Sequence, residues 1–207
     1  SSAPVTVYDP PSPSSSSRRS VSWASRPHPS SPSLARAMTH VLWVSTSGGE
    51  VISASEARLL LDDMFAISGE IPRITPYEKG LPPHLKDVGN GWEPDPWIMD
   101  ERYAAVHVRD KGIIVFTACS HAGIVNVLKD ARDAFDPVPL YGVIGGFHLS
   151  GAACEAIIPE TIEDMKAFDL KMIVPGHCTG WRAIHKLVEA FGEDTVVPSA
   201  VGRTHRF

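Results

Sequence analysis

The chain has 207 residues, of which 43% are hydrophobic and 21% charged, with a formal net charge of −5. That is enough apolar material for one buried domain, and the composition excludes a fibrous or wholly disordered protein. The acidic balance excludes a general nucleic-acid binder or a binder of anionic membranes, since either needs a basic patch, and leaves a small-molecule substrate as the default partner.

Residues 1–36 are rich in Ser, Pro and Arg and contain a single acidic residue, Asp9. Such a segment buries too little apolar surface to offset its chain entropy. We read it as a disordered leader; a transit peptide is the alternative, but amphipathic periodicity is missing. Residues 37–207 are expected to form the domain. Order should begin near Thr39, with a short strand at 40–44. Residues 53–65 read either as a helix capped by Ser53 or Ser55, or as a strand at its LLLDDMF end. Residues 68–101 are punctuated by Pro and Gly beyond what a regular element tolerates, and a long structured loop of this kind often covers an active site. From Arg102 the pattern sharpens. RYAAVHV and GIIVFTA form two strands around a turn at Arg109-Asp110-Lys111-Gly112, the second strand apolar throughout as in a sheet covered on both faces. IVNVLKDARDAF has helical spacing, with Ile124, Leu128, Ala131 and Phe135 on one face. Strand PLYGVI, helix PETIEDMKAFD opened by Pro159, strand KMIVP, helix WRAIHKLVEAF ended by Gly192, and a last strand TVVPSAV follow. Alternating strands and helices define an α/β layer architecture. No apolar run approaches the roughly 18–20 residues of a membrane span, and the first residues lack the core of a secretory signal. The expectation is a soluble, cytoplasmic protein without membrane association.

Three of these strands run into a loop that carries a histidine: His121, His148 and His177. In open α/β sheets ligands bind beyond the carboxyl ends of the strands, so the three can converge on one point. Neutral imidazole is the commonest metal ligand, and a catalytic zinc ion usually takes three protein ligands and keeps an open position. The alternative for each histidine is an ordinary hydrogen-bonding loop residue. Ser120 and Thr179 sit just before helices, where a hydroxyl caps backbone N–H groups and an anion can bind, so both are candidate substrate contacts. Arg73 is a third, able to hold a phosphate or carboxylate bidentately, with a salt bridge to glutamate as the alternative. The three cysteines, Cys119, Cys154 and Cys178, form no C-x-x-C pair, which excludes a disulfide framework and a finger-type zinc site and indicates a reducing compartment. Cys119 and Cys178 flank two of the histidines, which raises a cysteine nucleophile with a histidine base, although neither lies in a nucleophile motif. His185 reads as a surface residue of the last helix.

The segments Thr117–Asn126, Gly145–Leu149 and Pro175–Gly180, together with SGEIPRITPYEKG upstream, resemble the metallo-β-lactamase-fold superfamily, and within it the dihydropterin ribofuranosyl-aminobenzene phosphate synthase-like branch. The resemblance implies an αββα sandwich with two metal ions, usually zinc, at one edge of its sheets. It makes His121 a ligand of the first metal and His177 a ligand of the second. His148 falls where many members place a bridging aspartate, so ligand, neighbour of a ligand and substrate contact all stay open for it. Members of the family carry an H-x-H-x-D-H motif in their amino-terminal half, and this sequence has none. The resemblance therefore implies an incomplete sandwich and an incomplete metal site, with catalysis impaired because three protein ligands are the usual minimum. Apolar sheet surface left uncovered would favour self-association. Two functional readings follow: a metal-dependent hydrolase or pterin-type transferase acting on a small, phosphorylated or pterin-like molecule, or a non-catalytic remnant or interaction module that keeps the fold without the metal.

Overall fold

A computed structural model describes residue 52 and residues 54–206. The leader, the strand expected at 40–44 and Ser53 lie outside them. The described chain forms eight strands: β1 (Arg58–Leu60), β2 (Phe65–Ile67), β3 (Leu85–Asp87), β4 (Trp92–Pro94), β5 (Tyr103–Val108), β6 (Gly112–Thr117), β7 (Leu140–Gly146) and β8 (Met172–Gly176). The helices are α1 (Ile124–Phe135), the single turn α2 (Ala152–Glu155), α3 (Ile158–Lys166) and α4 (Trp181–Phe191). Six strands make one sheet in the order β1-β2-β5-β6-β7-β8, while β3 and β4 form a separate hairpin.

The sheet changes direction in the middle. The first three pairings are antiparallel and β6, β7 and β8 run parallel. Tight hairpins suffice for the antiparallel part, whereas parallel neighbours need helical crossovers, which α1 and the α2–α3 segment supply. Because those crossovers return the chain to the same end, β6, β7 and β8 all finish at one edge. Side chains alternate across the sheet. Ile113 and Val115, Val143 and Ile173 face the main core with the inner sides of α1, α3 and α4. Ile114, Met172 and Val174 face the opposite side in a smaller cluster with Phe116, Tyr141 and Ile144. Burial of nearly every residue of β6 is thus the cause of its unbroken apolar sequence. The described residues constitute one sheet-and-helix layer of the αββα architecture.

Three expectations are corrected. Residues 58–67 are neither a helix nor one strand but the β1–β2 hairpin, whose turn places Leu61, Asp62 and Asp63 at positive φ. Residues 68–101 do contain regular structure, the exposed β3–β4 hairpin, closed by a turn that includes Gly89 and Gly91. TVVPSAV pairs only through a parallel bridge of Val196 with Ile173, flanked by backbone bonds at Thr195, Val197 and Ser199. Pro198 has no N–H to donate, and the segment stops short of a strand.

The long segment 68–101 is locked onto α1 by a reciprocal exchange of side chains. Helix α1 starts after Gly123, which has φ 94° and no side chain to cap the first N–H groups. Glu78 caps them instead: its two carboxylate oxygens accept from Val125 N and Asn126 N, each at 2.8 Å. A β-carbon at Gly123 would lie 2.1 Å from the Glu78 carboxyl carbon, so glycine is required for this approach. Asn126 answers with Oδ1 accepting from Ile74 N (3.1 Å) and Thr75 N (2.8 Å), while Nδ2 donates to Ala122 O at 2.7 Å. Tyr77 donates to Asp164 Oδ2 on α3 at 2.9 Å, a further anchor. Burial pushes the Glu78 carboxyl up to about 7 against the downward pull of its two backbone donors.

Two outcomes follow. Asn126→Ala leaves two buried backbone groups, Thr75 N and Ala122 O, and the part-buried Ile74 N without this partner, and should cost about 2–4 kcal/mol, measured by urea unfolding. For Glu78 the folded-state value lies above the ordinary 4.5, so the folded chain holds the proton more tightly than the unfolded chain. The associated stability is complete below about pH 4.5 and is lost as pH rises through 7, about 3 kcal/mol in all. Unfolding midpoints of the unaltered chain should therefore fall relative to those of Glu78→Gln between about pH 5 and pH 8, and parallel profiles would refute the assignment.

Candidate metal centre

Three loops leave the shared edge of β6, β7 and β8, and the Gly145-Gly146 pair lets them meet. Gly146 N donates to Ala118 O at 2.9 Å, and a β-carbon at Gly145 would fall 1.9 Å from Thr117 O. A β-carbon at Gly146 would sit 2.6 Å from both Cys178 Sγ and His177 Cε1. No other residue type allows the backbone of β7 to pass this close to its neighbours.

His121 and His148 come together in this space, with ring centroids 4.6 Å apart and an edge-to-face angle of 77°. His121 is held by Glu101, whose carboxylate accepts from His121 N (2.9 Å) and Ala122 N (2.6 Å) and lies 3.6 Å from His121 Nδ1. A carboxylate beside one ring nitrogen sets the tautomer and leaves the other nitrogen for a ligand. The His148 ring is held below the ordinary histidine range, first by burial and then by the neighbouring His121, which favours the neutral, metal-binding form. The His148 backbone lies at φ 48° and that of Ser120 at φ 56°, left-handed conformations that L-residues seldom adopt outside functional loops.

His177 lies on the single 3₁₀ turn His177–Thr179 after β8, and its Nε2 is 2.9 Å from Cys119 Sγ. Cys178 ties all three loops: its Sγ accepts from His148 N at 3.3 Å and donates to Cys119 O at 3.4 Å. Among the described residues, the set of three or more metal-binding donor atoms lying within 4.8 Å of one another is Cys119, His177 and Cys178. The three histidines thus reach one edge, as their positions after β6, β7 and β8 predict, but they divide between a His121–His148 pair and a sulfur-rich group around His177. Imidazole and thiol donors, with a carboxylate beside one ring, form a donor set suited to zinc or a similar divalent ion.

The other candidate residues occupy supporting positions. The Ser120 hydroxyl is buried, donates to Gly146 O at 2.8 Å and lies 2.9 Å from Thr117 Oγ1. Thr179 is fully buried and its hydroxyl accepts from Phe147 N at 3.0 Å. Neither caps a helix, because glycines occupy those cap positions, and both hydroxyls bind the three loops to each other. Among the described residues Arg73 makes no salt bridge. Its guanidinium donates to the carbonyls of Ile71, Trp97 (2.8 Å) and Ile98 (3.0 Å), closing the long segment on itself. Burial keeps the Cys178 thiol neutral, which disfavours it as a nucleophile. His185 is exposed and pairs with Glu189 at 3.1 Å.

Glu78 and Glu101 escaped the sequence reading. Both lie in the Pro/Gly-rich segment, where no periodicity distinguishes a docking carboxylate from a solvated one. A cleft of about 30 Å³ separates Glu78 from His121, His148 and Phe147, far below the ~300–1,000 Å³ of a ligand pocket. The described residues therefore supply an edge lined with imidazole, thiol and carboxylate groups and not a complete substrate pocket. A larger hollow of about 480 Å³ beneath the β3–β4 hairpin is lined by Leu81, Pro83, His84, Leu85 and Trp92, away from this chemistry.

No protein-family model matches the chain. Over 87 residues it is 42% identical to 7,8-dihydropterin-6-methyl-4-(β-D-ribofuranosyl)-aminobenzene-5'-phosphate synthase of Methanocaldococcus jannaschii, a match covering 42% of this chain and 29% of that protein. An uncharacterized protein of the same organism is 32% identical over 127 residues, 61% of this chain and 44% of the relative. The matched parts amount to less than half of either curated relative. Among solved structures, a metal-dependent hydrolase of the β-lactamase superfamily superposes with a TM-score of 0.62 at 22% identity, covering 75% of this chain and 57% of that one. With its three histidine-bearing loops at one sheet edge, the described part of the chain has the fold of that β-lactamase-superfamily hydrolase, and over the matched residues its sequence is similar to the dihydropterin ribofuranosyl-aminobenzene phosphate synthase.

Proposed function

We propose that the chain carries the carboxyl-terminal part of a metal-dependent hydrolase or pterin-type transferase site, with His121, His148 and His177 contributing to it. The observation that supports this best is the meeting of His121, with Glu101 behind its Nδ1, and a neutral His148 at the carboxyl edge of three parallel strands. When bound, a divalent metal ion such as zinc lowers the pKa of water and neutralises charge developing on a phosphoryl or carbonyl oxygen. The chain's own groups fix the geometry: Glu101 sets the His121 ring, Cys178 holds the His148 backbone, and the Gly145-Gly146 pair keeps the edge open. The substrate is a small molecule, phosphorylated or pterin-like, a class named for one relative. Nucleic acid and membrane are not its partners, and three free thiols accord with a cytoplasmic location. Among the described residues no helix is long and apolar enough to cross a membrane.

Catalysis by the sequence as given is impaired on this reading, because the H-x-H-x-D-H ligands are not in it. With zinc or manganese added, hydrolysis of an activated aryl phosphodiester should stay near background. Joined to a segment that supplies the motif, the chain should gain chelator-sensitive turnover that His121→Ala lowers by about a hundredfold or more. Brisk chelator-sensitive turnover by the unaltered chain would overturn the impairment, and no turnover in the joined protein would overturn the hydrolytic reading.

We further propose self-association through the sheet. Strand β1 is its outer member among the described residues, is exposed along its length, and leads into exposed Leu61 and Met64. An exposed apolar strand at a sheet edge is a template for another chain. Native mass spectrometry should find dimers or larger species, reduced when Leu59 and Leu61 are changed to Lys. A stable monomer at micromolar concentration would refute this.

A further inference from the structure

We propose that the hollow beneath the β3–β4 hairpin is the docking site for the chain's own proline-rich segment, residues 26–32, bound as a polyproline II helix.

The hollow holds about 480 Å³ and is walled by Leu81, Pro83, His84, Leu85 and Trp92. Trp92 is 69% exposed and Leu85 49%, a contiguous apolar surface of the kind that marks a binding groove. Strand register explains why they lie together. Leu85 pairs with Pro94 and Asp87 with Trp92, and directly opposed residues of an antiparallel pair share a face. One face of the hairpin therefore carries Trp92, Pro94, Leu85 and the exposed Asp87, while Lys86 and Glu93 lie on the other. The groove is formed in advance: Asp95 N donates to His84 O (2.9 Å), Leu81 N to Pro96 O (2.7 Å) and His84 Nδ1 to Asp95 O (3.2 Å). Proline-rich P-x-x-P segments dock in aromatic-lined grooves because polyproline II is already extended and loses little entropy on binding.

Such a segment is present in Arg26-Pro27-His28-Pro29-Ser30-Ser31-Pro32. Polyproline II has three residues per turn, so Arg26, Pro29 and Pro32 fall on one edge at spacings of about 9 Å. Pro29 and Pro32 match the surface of Trp92 and Leu85, and Arg26 matches Asp87. The wider charge distribution agrees. Residues 1–36 hold Arg18, Arg19, Arg26 and Arg36 against Asp9, whereas residues 85–95 hold Asp87, Glu93 and Asp95 against Lys86. The chain between Pro32 and Ala54 can span up to about 70 Å, against a radius of gyration of roughly 15 Å for a domain of this size. A tethered segment acts at an effective concentration on the order of 1 mM, which favours it over a free partner.

The probe is a fluorescent synthetic peptide of residues 24–34, titrated by anisotropy with two full-length chains, the unaltered one and Pro29→Ala/Pro32→Ala. With its own segment docked, the unaltered chain should bind the peptide about tenfold more weakly than the altered chain. Trp92→Ala, a change at an exposed position, should abolish peptide binding when added to the altered chain. Arg26→Ala in the peptide should weaken binding about threefold, and that loss should vanish against Asp87→Asn, which keeps the acceptor for Gly89 N. Light scattering should give both chains the same mass. Equal affinity for the two chains, no binding to either, or binding that survives Trp92→Ala would overturn the proposal. A lower mass for the altered chain would assign the groove to the segment of a second copy and overturn docking within one chain.

Discussion

The close approach of three parallel strand ends at Gly145-Gly146 is the constraint on which the rest of the site depends. Strand β7 lies between β6 and β8 with no side chain at either of its last two positions. The Ala118 carbonyl can therefore bond to Gly146 N, and the loops after β6 and β8 can touch across the gap. A side chain at Gly146 would displace both a thiol and an imidazole. The buried hydroxyls of Ser120 and Thr179 then bind the loops where the glycines have brought them. Their restraint accounts for the left-handed backbone at Ser120, a conformation that costs of order 1–3 kcal/mol and persists only where neighbours enforce it.

The second support comes from outside the strand-helix units. Residues 68–101 bring Glu78 to the start of α1 and Glu101 to the loop before it, so two carboxylates receive the backbone N–H groups between His121 and Asn126. Helix N-termini attract negative charge, and α1 meets that demand with distant side chains because Gly123 has none. This couples the His121 loop to the long segment. The same contact carries a penalty, since burial opposes ionisation of Glu78 while its donors favour it.

Much of this was legible in the sequence from Arg102 onward. Uniformly apolar runs predicted β6 and β8, helical spacing predicted α1 and α4, and the repetition of strand, histidine and helix predicted that His121, His148 and His177 share an edge. Each signal is local or periodic, which a single sequence can display. The segments before Arg102 were less readable, because hairpins of three-residue strands such as β1–β2 and β3–β4 are too short to establish a period. Ser120, Thr179 and Arg73 illustrate a different gap. Their residue types suit capping or anion binding, but which partner a hydroxyl or guanidinium meets depends on chain that lies 24–32 residues away.

By itself, the sequence determined the α/β class of the domain, the order of its main elements and the family resemblance, because hydrophobic periodicity and short motifs are properties of contiguous residues. Only the tertiary structure decided how the donors are grouped. His121 pairs with His148 beside Glu101, while His177 turns to Cys119 and Cys178. The physical reason is that grouping depends on the separation and register of β6, β7 and β8 and on the missing side chain at Gly146, distances that no spacing along the chain encodes.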